Sequence, residues 1–133
     1  MENSKATKLR ALVVDDDATL QRIVTQILHS LSIGYQTAFN GREALEELKK
    51  GKYDLILMDV KMPEQDGLDT VRWIRDLNDS TRTLPIFAVT SYDKPEHVKE
   101  LKEAGYNEHF AKPLDREKLR SALNKYFAEV GPF

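Results

Sequence analysis

Five polar residues stand where apolar runs stop. Asp15 and Asp16 follow "LRALVV", Asp59 follows "YDLILM", Thr90 closes "LPIFAVT", and Lys112 follows "EHFA". If those runs are neighbouring strands of one sheet, the five groups share an edge. Three carboxylates crowded together repel one another, which raises their pKa values and costs stability unless a cation neutralises them. A hard divalent ion does this: Mg²⁺ prefers oxygen ligands, keeps several waters, and takes one or two carboxylates together with phosphoryl oxygens. A lysine and a threonine supply what a phosphoryl group also needs, a point charge and a neutral hydroxyl donor. The chemistry this set is suited to is phosphoryl transfer.

The spacing between these residues predicts the elements that carry them. The run ending at Asp15 is short, continuous and rich in β-branched residues, as a buried strand requires. After it, Leu20, Ile23, Val24, Ile27, Leu28 and Leu31 mark one face of a helix. "YQTAF" reads as a weaker strand. Asn40 followed by Glu43 resembles a capping box opening a second helix, which buries Ala44, Leu45 and Leu48 and stops at Gly51. "YDLILM" is the third strand, and Leu68, Val71, Ile74 and Leu77 mark the third helix. "LPIFAVT" is a strand with its proline at the entrance, where no ladder bond is lost. A fourth helix has Pro95 in its first turn, Val98, Leu101 and Ala104 on one face, and Gly105 as its cap. "EHFA" is a short fifth strand. From Asp115, a last stripe runs through Leu119, Ala122, Leu123, Tyr126, Phe127 and Val130.

Strands alternating with helices imply right-handed crossovers, a parallel sheet, and helices on both of its faces. In such sheets function collects at the carboxyl ends of the strands. The chain has 133 residues, the size of one domain, with a net charge of −2 and no cysteine. No basic run grips a phosphate backbone, so direct nucleic-acid binding is not expected. Disulfides and thiolate metal sites are excluded. No apolar run nears the ~20 residues of a membrane span, and the polar start "MENSKATKLR" lacks a signal peptide's hydrophobic centre. A cytoplasmic protein without membrane insertion is expected.

In order and spacing, "LVVDDD", "LILMDVKMPEQDG", "FAVTS" and "FAKPL" resemble the motifs of the receiver domain of two-component response regulators. The likeness runs from about Leu9 to Phe127. It implies a flavodoxin-like (βα)5 three-layer sandwich of the α/β class, with strand order 2-1-3-4-5. It also implies a receiver domain over 9–129, loose tails at 1–8 and 130–133 including the final "GPF", and no output domain. Asp59 would be the phosphoacceptor, attacking a phosphohistidine as a carboxylate nucleophile. Asp59 and Asp16 would bind Mg²⁺, for which Mn²⁺ can substitute; Asp15 would act through a water, and Lys61 would add its backbone carbonyl. Thr90 and Lys112 would stabilise the phosphoryl group, and the Lys112–Pro113 bond would be cis. The donor would be a histidine kinase or histidine phosphotransfer protein, and the output partner would bind the last two helices and the fifth strand. The Pro63 to Gly67 turn would then bend the chain away from Asp59 and leave its mouth open.

Plainer readings compete for several of these residues. Asp17, Asp66 and Asp115 read as helix N-caps. Asp15 and Asp16 alone could be caps too, and it is the other strand ends that favour a site. Trp73 is expected to cover a helix surface, and His29 and His97 to be surface or packing residues. Where similar domains carry a Tyr or Phe rotamer switch, acting with Thr90, three residues before the lysine, this chain has His109. Lys61 and Tyr92 match positions that set phosphate lifetime by shaping water access. A Mg²⁺ phosphohydrolase of the haloacid-dehalogenase kind is an alternative, though it would carry an acid where Lys61 stands. A flavodoxin-like cofactor binder lacks its phosphate loop here, and a receiver that works without phosphorylation has no need of the intact acids.

Overall fold

In a computed structural model, residues 9–61, 67–92 and 94–133 are described. Strands β1 (Arg10–Val14), β2 (Gly34–Ala38), β3 (Leu55–Met58), β4 (Ile86–Thr90) and β5 (Glu108–Ala111) alternate with helices. The helices are α1 (Ala18–Ser30), α2 (Gly41–Lys50), α3 (Gly67–Arg75), α4 (Pro95–Ala104) and α5 (Arg116–Tyr126). The strands form one parallel sheet in the order β2-β1-β3-β4-β5, as the resemblance implies.

Alternation along each central strand divides the core in two, because successive side chains point to opposite faces. Leu12, Val14, Ile56, Met58, Ile86 and Ala88 pack with α2, α3 and α4 on one side. Ala11, Val13, Leu55, Leu57, Phe87 and Val89 pack with α1 and α5 on the other. Each fully buried Val, Leu, Ile or Phe contributes roughly 1.5–3 kcal/mol of transfer free energy, so this two-sided burial holds the middle strands rigid. Every residue of β3 and β4 is buried, which is why both read as uninterrupted apolar runs.

The helix starts follow from local hydrogen bonding. Asp17 accepts from the Thr19 and Leu20 amides, Asn40 from Glu43, and Asp115 from Glu117. Pro95 opens α4 and Gly105, with φ of 121°, ends it. The expected cap Asp66 lies outside the described residues. A short 3-10 helix at Ser80–Thr83 was not anticipated; Asp79 caps it.

Two features correct or extend the sequence reading. The end of the chain, expected as a loose tail over 130–133, is docked on α5. Gly131 is buried, the Phe133 amide donates to Asn124 Oδ1 at 2.8 Å, and Arg120 donates to the Phe133 carbonyl at 2.8 Å. The apolar Val130 and Phe133 side chains pack on the α1–α5 side of the core, a gain that a solvated tail would forgo. The second feature is Arg75 at the end of α3. Its guanidinium donates to the carbonyls of Gly105, Leu84 and Arg82 and to Asn107 Oδ1, whose oxygen also accepts the Ile86 amide. Burial pulls its pKa down, and the carbonyl ring around it compensates with hydrogen bonds.

Candidate functional site

The strand ends bring the acids together through backbone pairing. The Asp59 amide donates to the Val14 carbonyl at 2.9 Å, and the Asp15 amide to Ala38 at 3.1 Å. Gln21 of α1 seals this corner, donating to the carbonyls of Ala38 and Asp15. Carboxylate oxygens of Asp15, Asp16 and Asp59 all lie within 4.8 Å of one another, the one such acidic group among the described residues. Asp15 and Asp59 are buried, at 3% and 5% exposure, whereas Asp16 faces solvent.

Lys112 closes the set. The Thr90–Ala111 register at the end of β4 and β5 puts it just beyond the strand, followed by a cis Lys112–Pro113 bond. Its ammonium contacts Asp59 Oδ2 at 2.8 Å and Asp15 Oδ2 at 3.0 Å. The other oxygens hold backbone amides: Asp59 Oδ1 accepts from Val60 at 2.7 Å and Asp15 Oδ1 from Asp17 at 2.9 Å. Both carboxylates are therefore fixed in rotation. Burial alone would pull the lysine pKa down, but hydrogen bonds and attraction to Asp59 and Asp15 outweigh it and hold the ammonium charged. Burial pushes the Asp15 carboxyl up, and the Asp59 charge adds to this against the Asp17 amide and Lys112. One ammonium shared between two buried carboxylates leaves negative charge uncompensated. Hard oxygen donors only, a charge deficit and one solvent-facing acid match what Mg²⁺ asks of a protein.

Asp59, Lys61, Thr90, Ser91 and Tyr92 line a cavity of about 310 Å³ above the acids. Thr90 is buried, and its hydroxyl oxygen accepts the Tyr92 amide at 3.0 Å, leaving its proton to donate elsewhere. A larger hollow of about 490 Å³ lies near Lys50, Tyr53 and Ser80, at the amino ends of β3 and β4, remote from these groups. His109 is exposed on β5, beside a second hollow lined by Tyr106, Lys102 and Tyr126. Trp73 lies on α3, 55% exposed.

Sequence reasoning missed Tyr106. Its buried hydroxyl donates to the Asp59 backbone carbonyl at 3.2 Å. Gly67 lies against the same carbonyl, and a Cβ there would also come within 2.6 Å of the Tyr106 hydroxyl. The only signal was an aromatic directly after the capping Gly105, and nothing in the sequence pairs it with a residue 47 positions away.

The family model of the response regulator receiver domain matches residues 11–124. Chemotaxis protein CheY-3 of Vibrio cholerae is 34% identical over 131 residues, covering 98% of this chain and all of that protein. The transcriptional regulatory protein ZraR of Salmonella typhimurium is also 34% identical, over 92% of this chain, but the chain spans only 27% of its length. Among solved structures, the receiver domain of sensor histidine kinase PA1611 of Pseudomonas aeruginosa superposes with a TM-score of 0.82. It is 29% identical, with 90% of this chain and 98% of that one covered, and its active site cleft coordinates magnesium. The receiver domain of Ssk1 of Saccharomyces cerevisiae, solved with the histidine phosphotransfer protein Ypd1, gives 0.80 at 26% identity, covering 89% and 88%. The fold, the acidic pocket and a family match over nearly the whole sheet thus converge, and this chain belongs to the receiver domain family of two-component response regulators.

Proposed function

We propose that Asp59 accepts a phosphoryl group from a phosphohistidine of a kinase or phosphotransfer protein, and that this modification changes how the domain binds a downstream protein. The observation that carries the reading is the Lys112 ammonium bridging Asp59 and Asp15 beneath the cavity that Thr90 and Lys61 line. In the transfer, an Asp59 carboxylate oxygen bonds to phosphorus as the P–N bond breaks, and the electron pair of that bond returns to the imidazole. Val60 N–H fixes the carboxylate's rotation, so the reacting oxygen is presented on a rigid strand end. Lys112 pairs with the charge that moves onto the phosphoryl oxygens, and the Thr90 hydroxyl donates to one of them.

Mg²⁺, or Mn²⁺ in its place, would be held by Asp16, Asp59 and the Lys61 carbonyl, with Asp15 acting through water; when bound it supplies charge neutralisation at the phosphoryl oxygens. The Ypd1–Ssk1 complex supports a histidine-bearing donor for this chain. The output surface is α4, β5 and α5. His109, exposed on β5, turns inward when Thr90 is drawn to the phosphoryl group, so that the surface reports the state of the site. Lys61 and Tyr92 restrict water at the mouth. The role is that of a phosphoacceptor in signalling, and a cytoplasmic location fits a chain in which no described helix is long and apolar enough to cross a membrane.

The test is exposure to acetyl phosphate, or to beryllofluoride, with Mg²⁺. Intact mass and amide NMR should report modification of the parent and none of Asp59→Asn. Equal labelling of both proteins would refute the assignment of Asp59.

A further inference from the structure

At the Asp59 cavity, Tyr92 is gripped by two residues of α4, His97 and Glu100, that have no part in the transfer described above. Tyr92 lines the cavity, and the His97 imidazole stacks on its ring with centroids 3.5 Å apart and planes 9° from parallel. The Lys61 ammonium lies over the same ring, 4.5 Å from its centroid. Because a parallel imidazole at that distance fills one face, the ammonium takes the other. The Tyr92 hydroxyl donates to Glu100 Oε1 at 2.7 Å. His97 and Glu100 are three residues apart on α4, so one helix face grips both the ring and its hydroxyl. His97 Nδ1 is buried with no hydrogen-bond partner among the described residues, so stacking rather than a bond through that atom fixes the imidazole. Face-to-face rings are not the preferred aromatic geometry. An ammonium drawing electron density to the far face of Tyr92 makes that geometry tolerable.

We propose that His97 and Glu100 are positioning residues that hold Tyr92 across the mouth, so that α4 sets how long a phosphoryl group stays on Asp59. The inference rests on Asp59 being the phosphoacceptor. Loss of the group is hydrolysis. A water oxygen bonds to phosphorus, the P–O bond to Asp59 breaks with its electron pair returning to the carboxylate, and the water's two protons leave with the inorganic phosphate. That water must approach opposite the Asp59 oxygen, by way of the cavity that Tyr92 lines. Anything that shifts the face of α4 bearing His97 and Glu100 therefore changes the lifetime through the position of Tyr92.

The experiment loads the full chain with acetyl phosphate and Mg²⁺, removes the donor, and follows decay of the phosphorylated species. His97→Ala and Glu100→Ala should each shorten the lifetime roughly three- to tenfold. His97→Phe, which keeps a stacking ring without the nitrogens, should stay within about twofold of the parent. A metal-free readout runs beside it: the Tyr92 ring protons should lose their ring-current shift in His97→Ala and keep one in His97→Phe. Parent-like decay in both His97→Ala and Glu100→Ala overturns the proposal, as does His97→Phe decaying as fast as His97→Ala. A parent that takes no label overturns the phosphoacceptor reading and this inference together, whereas a labelled parent with unaltered variants sinks this inference alone.

Discussion

Replacing Lys112 by Met removes the ammonium that contacts two buried carboxylates. At 2.8 and 3.0 Å, each contact carries a gross attraction of about 6 kcal/mol at an effective dielectric of about 20. Desolvating three charges offsets most of that. What Met leaves behind decides the outcome: Asp15 and Asp59, 3% and 5% exposed, face each other with only the Asp17 and Val60 amides to compensate their charge. Breaking a buried pair in this way costs about 3–5 kcal/mol. The open mouth admits some water, which places the expected loss near 2–4 kcal/mol. That is a large share of the roughly 5–15 kcal/mol that holds a domain together. Urea denaturation in EDTA should show a lower midpoint with an unchanged slope. Added Mg²⁺ should then stabilise Lys112→Met more than the parent, because the ion meets no competing ammonium. At a hundredfold excess over Kd the gain is about 2.7 kcal/mol. Parent-like stability of Lys112→Met in EDTA, or equal Mg²⁺ increments in both proteins, would refute the electrostatic account of the pocket.

Arg75→Lys trades a planar fork for a point charge and leaves several carbonyls unpaired, for an expected loss of about 2–4 kcal/mol in urea titrations and little change in labelling of Asp59. Gly67→Ala forces a methyl against the Asp59 carbonyl and the Tyr106 hydroxyl; it should cost about 1–3 kcal/mol and, by displacing the strand end, slow labelling by acetyl phosphate. Asp15→Asn tests the sign of the acid's raised pKa. Ionising Asp15 costs the folded chain more than the unfolded one, so the parent loses stability as pH rises from 3.8 through the folded value. In EDTA the variant should melt higher than the parent at neutral pH, with the gap closing below 3.8; a gap that persists there would contradict the argument.

What the sequence made legible was whatever repeats or sits at a boundary. Uninterrupted apolar runs and helical stripes give β1, β3, β4 and the helices. The polar residues that interrupt apolar runs give Asp15, Asp59, Thr90 and Lys112, because a charge at the end of a buried strand is costly and so conspicuous. Capping aspartates are local and equally visible. Residues that act across long sequence separations were not. Arg75 looks like any surface arginine until the Gly105 carbonyl, 30 positions on, is folded against it. Tyr106 carries no pattern of its own. His97 read as a surface or packing residue, and only the placement of Tyr92 turns it toward the mouth. The docked Phe133 escaped for a related reason: three residues show no period, and it is the groove beside α5 that binds them.

Arg75 also says how the fourth helix is able to move. Its fork clamps the Gly105 carbonyl at the carboxyl end of α4, while His97 and Glu100 touch the site side near the opposite end. With its Gly105 end held this way, any displacement of α4 would be greatest beside His97 and Glu100 and would fall away toward Gly105, so the end that moves most is the end that meets Tyr92.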